Sequence, residues 1–188
     1  MRQSETDMAE QIFAATERLM AKDGLHHLSM HKIAKEARIS AGTIYIYFKS
    51  KEELLEQFAW RVFSLFQTAL EKDYDETLSY FEQYKKMWLN VWYFLQDNPN
   101  IVMNMQQYQS LPGFFDICKE MDYNSRWATF CQKAQQAGAV CELSVSILFS
   151  LSMESAMNLA FKKLYINEFL ADEELMTIIE RTWRSIQK

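Results

Sequence analysis

Apolar residues along this chain recur at intervals of three and four almost throughout, the spacing of helices that bury one face. Ile12, Phe13, Thr16, Leu19 and Met20 fall in line and predict a first helix over residues 5–22, with Gly24 as its C-terminal stop. Ser29 can cap a short second helix that carries Ile33, Ala34 and Ala37 on a narrow apolar face. Arg38 and Ile39 make a turn, with Ile39 as its buried plug. Ser40 can cap a third helix, in which Ile44, Tyr47 and Phe48 point inward. Ser50-Lys51-Glu52-Glu53 is an S-x-x-E capping box and opens a fourth helix to about Lys72, striped with Leu54, Phe58, Val62, Leu65 and Ala69.

The pattern continues to the C-terminus. A fifth helix is predicted over 75–97, carrying Leu78, Phe81, Trp88, Trp92 and Leu95. Asn98-Pro99 reads as cap and first residue of a short sixth helix to about Gln109, broken by Leu111-Pro112-Gly113. A seventh helix over 114–137 ends at Gly138, and a long apolar eighth covers 141–165. Asp172 caps the last, with Leu175, Ile178, Ile179, Thr182 and Ile186 as its seam. Four glycines and two prolines in 188 residues argue against a turn-rich sheet. The expected fold is all-α: an N-terminal three-helix domain over 1–50 and a helical domain over 51–188, the fourth helix joining them.

Charge singles out one stretch. The whole chain carries −5, yet residues 28–51 hold Lys32, Lys35, Arg38, Lys49 and Lys51 against Glu36 alone. Overall acidity argues against broad nucleic-acid stickiness and leaves one basic face for phosphates. Gly42 and Thr43 lie at the start of the third helix, where a recognition helix meets base edges, and Gly42 lets the backbone approach closely. Lys51 sits in a first helical turn, where N–H groups and a cation can share one phosphate. Residues 28–51 therefore read as a helix-turn-helix able to grip duplex DNA.

The stretch IAKEARISAGTIYIYFKSKEELL, Ile33 to Leu55, resembles the signature of the tetracycline-repressor-like (TetR) family of bacterial transcription regulators. The resemblance covers about the first 60 residues; the remainder agrees in length and helical character. It implies that Ser40, Gly42, Thr43 and Tyr45 face the major groove and that Ser29, Tyr47 and Lys51 clamp phosphates. Lys32 joins them on the basic face. Two departures matter. Arg38 stands where the family often has Gly, at about 1 kcal/mol if the backbone needs positive φ, and it offers a further phosphate contact. Ala41 and Ile46 stand where relatives often place polar side chains, so hydrogen-bond readout is thin, and thymine methyls or DNA shape carry more of the specificity.

The resemblance also implies an effector pocket enclosed by helices four to eight. Candidate lining residues are Trp88, Trp92, Met103, Tyr108, Trp127, Phe130, Phe149, Met153, Glu154 and Met157. Flat aromatics with flexible methionines make either a core or an adaptable apolar pocket. Ser146, Ser150, Glu154, Asn158 and Lys162 repeat every four residues on the eighth helix, as a solvated or dimer-edge face or as polar contacts to a greasy ligand. The leading expectation is a cytoplasmic repressor, a homodimer paired through its last two helices. It binds a palindromic double-stranded DNA operator and is released by a small hydrophobic or aromatic effector. A DNA-bound adaptor or architectural protein without effector is the alternative.

Other classes find less support. The histidines His26, His27 and His31 cluster in the DNA-reading region without a cysteine or paired acid, so no metal and no cofactor are expected. No Gly-rich phosphate loop or nucleophile–base spacing suggests an enzyme. Cys118, Cys131 and Cys141 lack C-x-x-C spacing and read as inert thiols of a reducing compartment. No signal peptide opens the chain, and the apolar run Leu143–Met153 is too short to span a bilayer.

Overall fold

The computed structural model describes residues 2–167 and 169–188, with side chains from Asp7 onward. Its backbone divides into two compact units: residues 1–62 with 103–114, and residues 63–102 with 115–188. The expected boundary at 50/51 is the start of a helix; the division between the units falls twelve residues into that helix. The described residues form no β-strand; Val140 and Gln187 pair in an isolated antiparallel bridge.

In the first unit, α1 (Arg2–Asp23), α2 (Met30–Glu36), α3 (Ala41–Tyr47) and the start of α4 (Lys51–Glu71) surround one core. Ile12, Met20, Ile33, Ile44, Leu54 and Phe58 are fully buried there. The Phe13 ring lies 5.3 Å from Phe48 and 6.2 Å from Phe58, so one aromatic on α1 joins the end of α3 to α4. Thr16 is buried as its place in the stripe predicts, its hydroxyl donating to the Ile12 carbonyl at 2.9 Å. Residues 103–114 join this unit through the Tyr108 ring, 6.3 Å from Phe58, and through amides that no apolar spacing announces. Asn104 Nδ2 donates to the Glu17 carbonyl at 2.9 Å, Gln107 Nε2 donates to the Met20 carbonyl, and Gln107 Oε1 accepts from Leu25 N–H.

The second unit holds α5 (Tyr80–Asp97), α8 (Arg126–Gln136), α9 (Val145–Leu151), α10 (Glu154–Ile166) and α11 (Asp172–Ile186), with α5 packed on α10 and α11. The division passes through α6 (Pro99–Asn104) after Val102 and through α7 (Phe114–Asn124) after Phe114. Its core is aromatic. Tyr84, Trp88, Trp127 and Phe130 are fully buried, and their polar atoms are satisfied: Trp88 Nε1 donates to Ser155 Oγ at 2.8 Å and Trp127 Nε1 to the Val145 carbonyl at 3.1 Å.

Several expected helices are shorter or divided. The fifth begins at Tyr80, not 75, because the Asp75 carboxylate captures the Thr77 N–H and hydroxyl in a local turn and Ser79 takes the cap. Asn98 ends α5 with its amide, which donates to the Phe94 carbonyl, while its own carbonyl accepts from Ile101 and Val102 N–H and opens α6, with Pro99 the first residue as expected. The sixth stops at Asn104, and Tyr108–Ser110 is a separate 3₁₀ turn. The seventh is two helices: buried Ser125 donates to the Met121 carbonyl at the end of α7 and accepts from Ala128 N–H to start α8. The eighth is also two, because Ser152 leaves helical geometry and its hydroxyl donates back to Leu148. Asp172 is the first residue of α11 rather than its cap; Ala171 N–H is taken by the Glu174 carboxylate.

Candidate nucleic-acid interface

The site is built from local caps. Ser29, extended at φ −142°, accepts from Lys32 N–H at 3.3 Å and starts α2. α2 ends in a Schellman arrangement: Arg38 N–H donates to Lys35 and Ile39 N–H to Ala34. That places Arg38 at φ 56°, the left-handed conformation its position in the turn requires. Gln11 of α1 also donates to the Ala37 carbonyl at 2.6 Å, a support that no helical spacing announces. Ser40 then accepts from Thr43 N–H at 3.0 Å and shares a hydrogen bond with the Thr43 hydroxyl at 2.8 Å, which starts α3.

Two ammonium groups are held at the entry to α2. Lys51 Nζ donates to the Leu28 carbonyl and Lys32 Nζ to the His27 carbonyl at 3.0 Å. Lys51 reaches there because α4 opens beside it. Ser50 Oγ accepts from Glu53 N–H as the capping box requires, but the Glu53 carboxylate reaches Lys49 N–H, one residue earlier than the box predicts. Arg18, Lys32, Lys35 and Arg38 line a surface cleft of about 630 Å³ with Glu36. Arg18 pairs with Glu36 at 2.8 Å, and that hydrogen bond holds the exposed Glu36 carboxyl below its ordinary range.

Ser29, Lys32, Arg38, Ser40 and Gly42 are exposed, and Ala41, Thr43, Tyr47 and Lys51 half-buried, all in the first unit. Tyr45 is 50% exposed on α3 and Ile46 78%, while Ile44 and Phe48 on the opposite side are buried. Ile46 stands two residues from both Ile44 and Phe48, about 200° of helical phase away, and so faces outward.

The ten candidate effector residues are divided between the units. Met103 and Tyr108 belong to the first; the other eight belong to the second. Trp88 stacks on Trp92 at 6.0 Å, and Trp127 meets both Phe130 and Phe149. Met153 is buried and Met157 half-buried. The break at Ser152 interrupts the polar stripe, and Glu154 accepts from Ser150 across it at 2.9 Å. Burial pushes up the Tyr84, Tyr108 and Cys131 protons, so none ionises near neutral pH.

Two short capped helices, a tight turn between them and basic side chains around the second define a helix-turn-helix DNA-binding protein. Family models agree. "Bacterial regulatory proteins, tetR family" matches residues 12–58, and "Tetracyclin repressor-like, C-terminal domain" matches residues 79–187. An HTH-type transcriptional regulator of Haemophilus influenzae is 60% identical over 188 residues, covering all of both chains. The crystal structure of a TetR-family transcriptional regulator from Haemophilus influenzae superposes with a TM-score of 0.93 at 60% identity, covering 99% of this chain and 100% of that one. A TetR family protein from Vibrio parahaemolyticus superposes with a TM-score of 0.82 at 34% identity, covering 95% and 98%. The chain belongs to the TetR family: it is a transcriptional regulator with a helix-turn-helix DNA-binding domain, not an enzyme.

Proposed function

We propose that the protein is a repressor that binds a palindromic operator as a homodimer and leaves it on binding a small, largely hydrophobic effector. The observation that carries the DNA contact is the entry to α2, where Lys51 and Lys32 hold two cations beside Ser29. A phosphate there meets the two ammoniums and the hydroxyl, while the first turn of α3, with Ser40, Gly42 and Thr43, enters the major groove. Tyr45 extends from α3 to bases, Tyr47 and Arg38 to the backbone, and Ala41 packs close to the groove wall.

Pairing through the last two predicted helices is supported by an exposed apolar strip. Ile147 and Leu151 on one side of α9, with Leu143 in the segment just before it, are 48%, 45% and 39% exposed. Two copies joined there present recognition helices to half-sites about one DNA turn, ~34–36 Å, apart. The aromatic and methionine content of the second unit, with Trp92, Phe149 and Met157 among it, favours an apolar effector. Such an effector releases DNA only as far as it prefers the unbound arrangement.

The experiment is selection of genomic fragments by the purified protein at two salt concentrations, with sequencing, followed by a thermal-shift screen of apolar compounds. A shared inverted repeat, weakened by salt, and a stabilising compound that displaces the DNA are expected. Enrichment without a palindrome overturns the dimeric operator reading. Activation of the adjacent promoter by the unliganded protein overturns repression.

A further inference from the structure

α3 carries no arginine, lysine, asparagine or glutamine: its residues are Ala41, Gly42, Thr43, Ile44, Tyr45, Ile46 and Tyr47. Guanine is read in the major groove by a bidentate Arg or Lys and adenine by Asn or Gln. This helix offers neither. Its short hydroxyls are already engaged, since Ser40 Oγ accepts from Thr43 N–H and bonds the Thr43 hydroxyl. With Tyr47 directed to the phosphate backbone, the Tyr45 hydroxyl remains as the polar reader. The most exposed side chain on the helix is Ile46, at 78%, and it carries no hydrogen-bonding atom.

We propose that Ile46 is a specificity-determining residue that reads the 5-methyl group of a thymine in each operator half-site. Thymine alone among the four bases offers an apolar group in the major groove. A branched aliphatic side chain removes that methyl from water. It also disfavours cytosine, whose amino group then faces hydrocarbon without an acceptor. The occupant is DNA rather than protein because five basic residues, Lys32, Lys35, Arg38, Lys49 and Lys51, lie within fourteen positions of Ile46 and match a phosphate backbone. The inference rests on the DNA-reading role of α3 and names what that helix recognises.

The test begins with a random-sequence duplex pool, from which the wild-type protein selects its site. Each thymine of the recovered site is then replaced by deoxyuridine, which removes only the methyl, and binding is measured for wild type, I46V and I46A. At one thymine position per half-site, wild type is expected to weaken about fourfold for each methyl removed, the transfer value of one buried carbon group. I46V keeps most of that discrimination, and I46A binds thymine and uracil duplexes equally. All three retain the wild-type melting temperature because the side chain is exposed in the free protein. A recovered site whose binding ignores every methyl overturns the inference. An equal methyl effect in I46A does so too, since another residue or DNA shape then reads the group. Recovery of no site at low salt overturns the DNA-reading role itself, and the inference with it.

Discussion

Lys51 Nζ donates to the Leu28 carbonyl at 3.2 Å, so the first turn of α4 is tied to the residue before the Ser29 cap of α2. The cation is thus placed before DNA arrives, which lowers the ordering cost of a phosphate contact. Replacing Lys51 with Met keeps the aliphatic stem and removes the charge. We expect weaker binding to all duplexes alike and a salt slope smaller by about one per subunit. Fluorescence anisotropy across a salt series measures this; an unchanged slope would show that Lys51 touches no phosphate.

Arg38 and Gly138 occupy the same place in two Schellman turns, at φ 56° and 69°. Glycine adopts this conformation freely and arginine does not. Arg38→Gly is expected to lose a phosphate contact but raise folding stability by about 1 kcal/mol, less the entropy that glycine adds to the unfolded chain. Arg38→Val, branched at Cβ, lowers it. Urea denaturation of the three proteins orders them; a ranking with Val above Arg would contradict the geometry.

Glu17 on α1 faces Arg61 of α4, Arg18 and Glu10 of its own helix, and the Tyr108 hydroxyl. Burial raises its carboxyl above the ordinary value of 4.5, with Arg61 opposing the shift. Because the folded-state value is the higher one, the unfolded chain releases this proton first. The Glu17 contribution to stability is therefore complete below pH 4.5 and declines as pH rises from there through the raised folded value. Glu17→Gln removes that decline. Denaturation midpoints of the two proteins should diverge, in favour of the variant, from pH 4.5 towards neutrality; parallel curves would refute the shift.

Ser125 is buried where α7 meets α8, and its hydroxyl serves both helices. Ser125→Ala removes the α8 cap and leaves the Met121 carbonyl and the Ala128 N–H without it. A loss of about 1–2 kcal/mol is expected, read by urea unfolding of the full chain. Ser125→Thr, which retains the hydroxyl, should lose less.

Local chemistry alone made the helix-turn-helix legible. Ser29, Ser40 and Ser50 each bond the N–H three residues on, and Arg38 takes a positive φ at the turn position where the family often has Gly, because caps and turns are decided within four or five residues. The stripe from Ile12 to Met20 likewise carries its own burial. The breaks at Ser125 and Ser152 were hidden inside continuous apolar periods. There the serine hydroxyl competes for backbone groups, and side-chain packing, which sequence spacing does not report, decides whether the helix continues. Residues 103–114 join the first unit through Asn104 and Gln107, amides with no helical period to reveal their partners 87 residues away. What the sequence by itself determined was helix class, DNA-reading motif and charge. Tertiary structure decided the unit boundaries and the placement of the Lys51 ammonium on the Leu28 carbonyl, because each depends on groups distant in the chain meeting across a packed core.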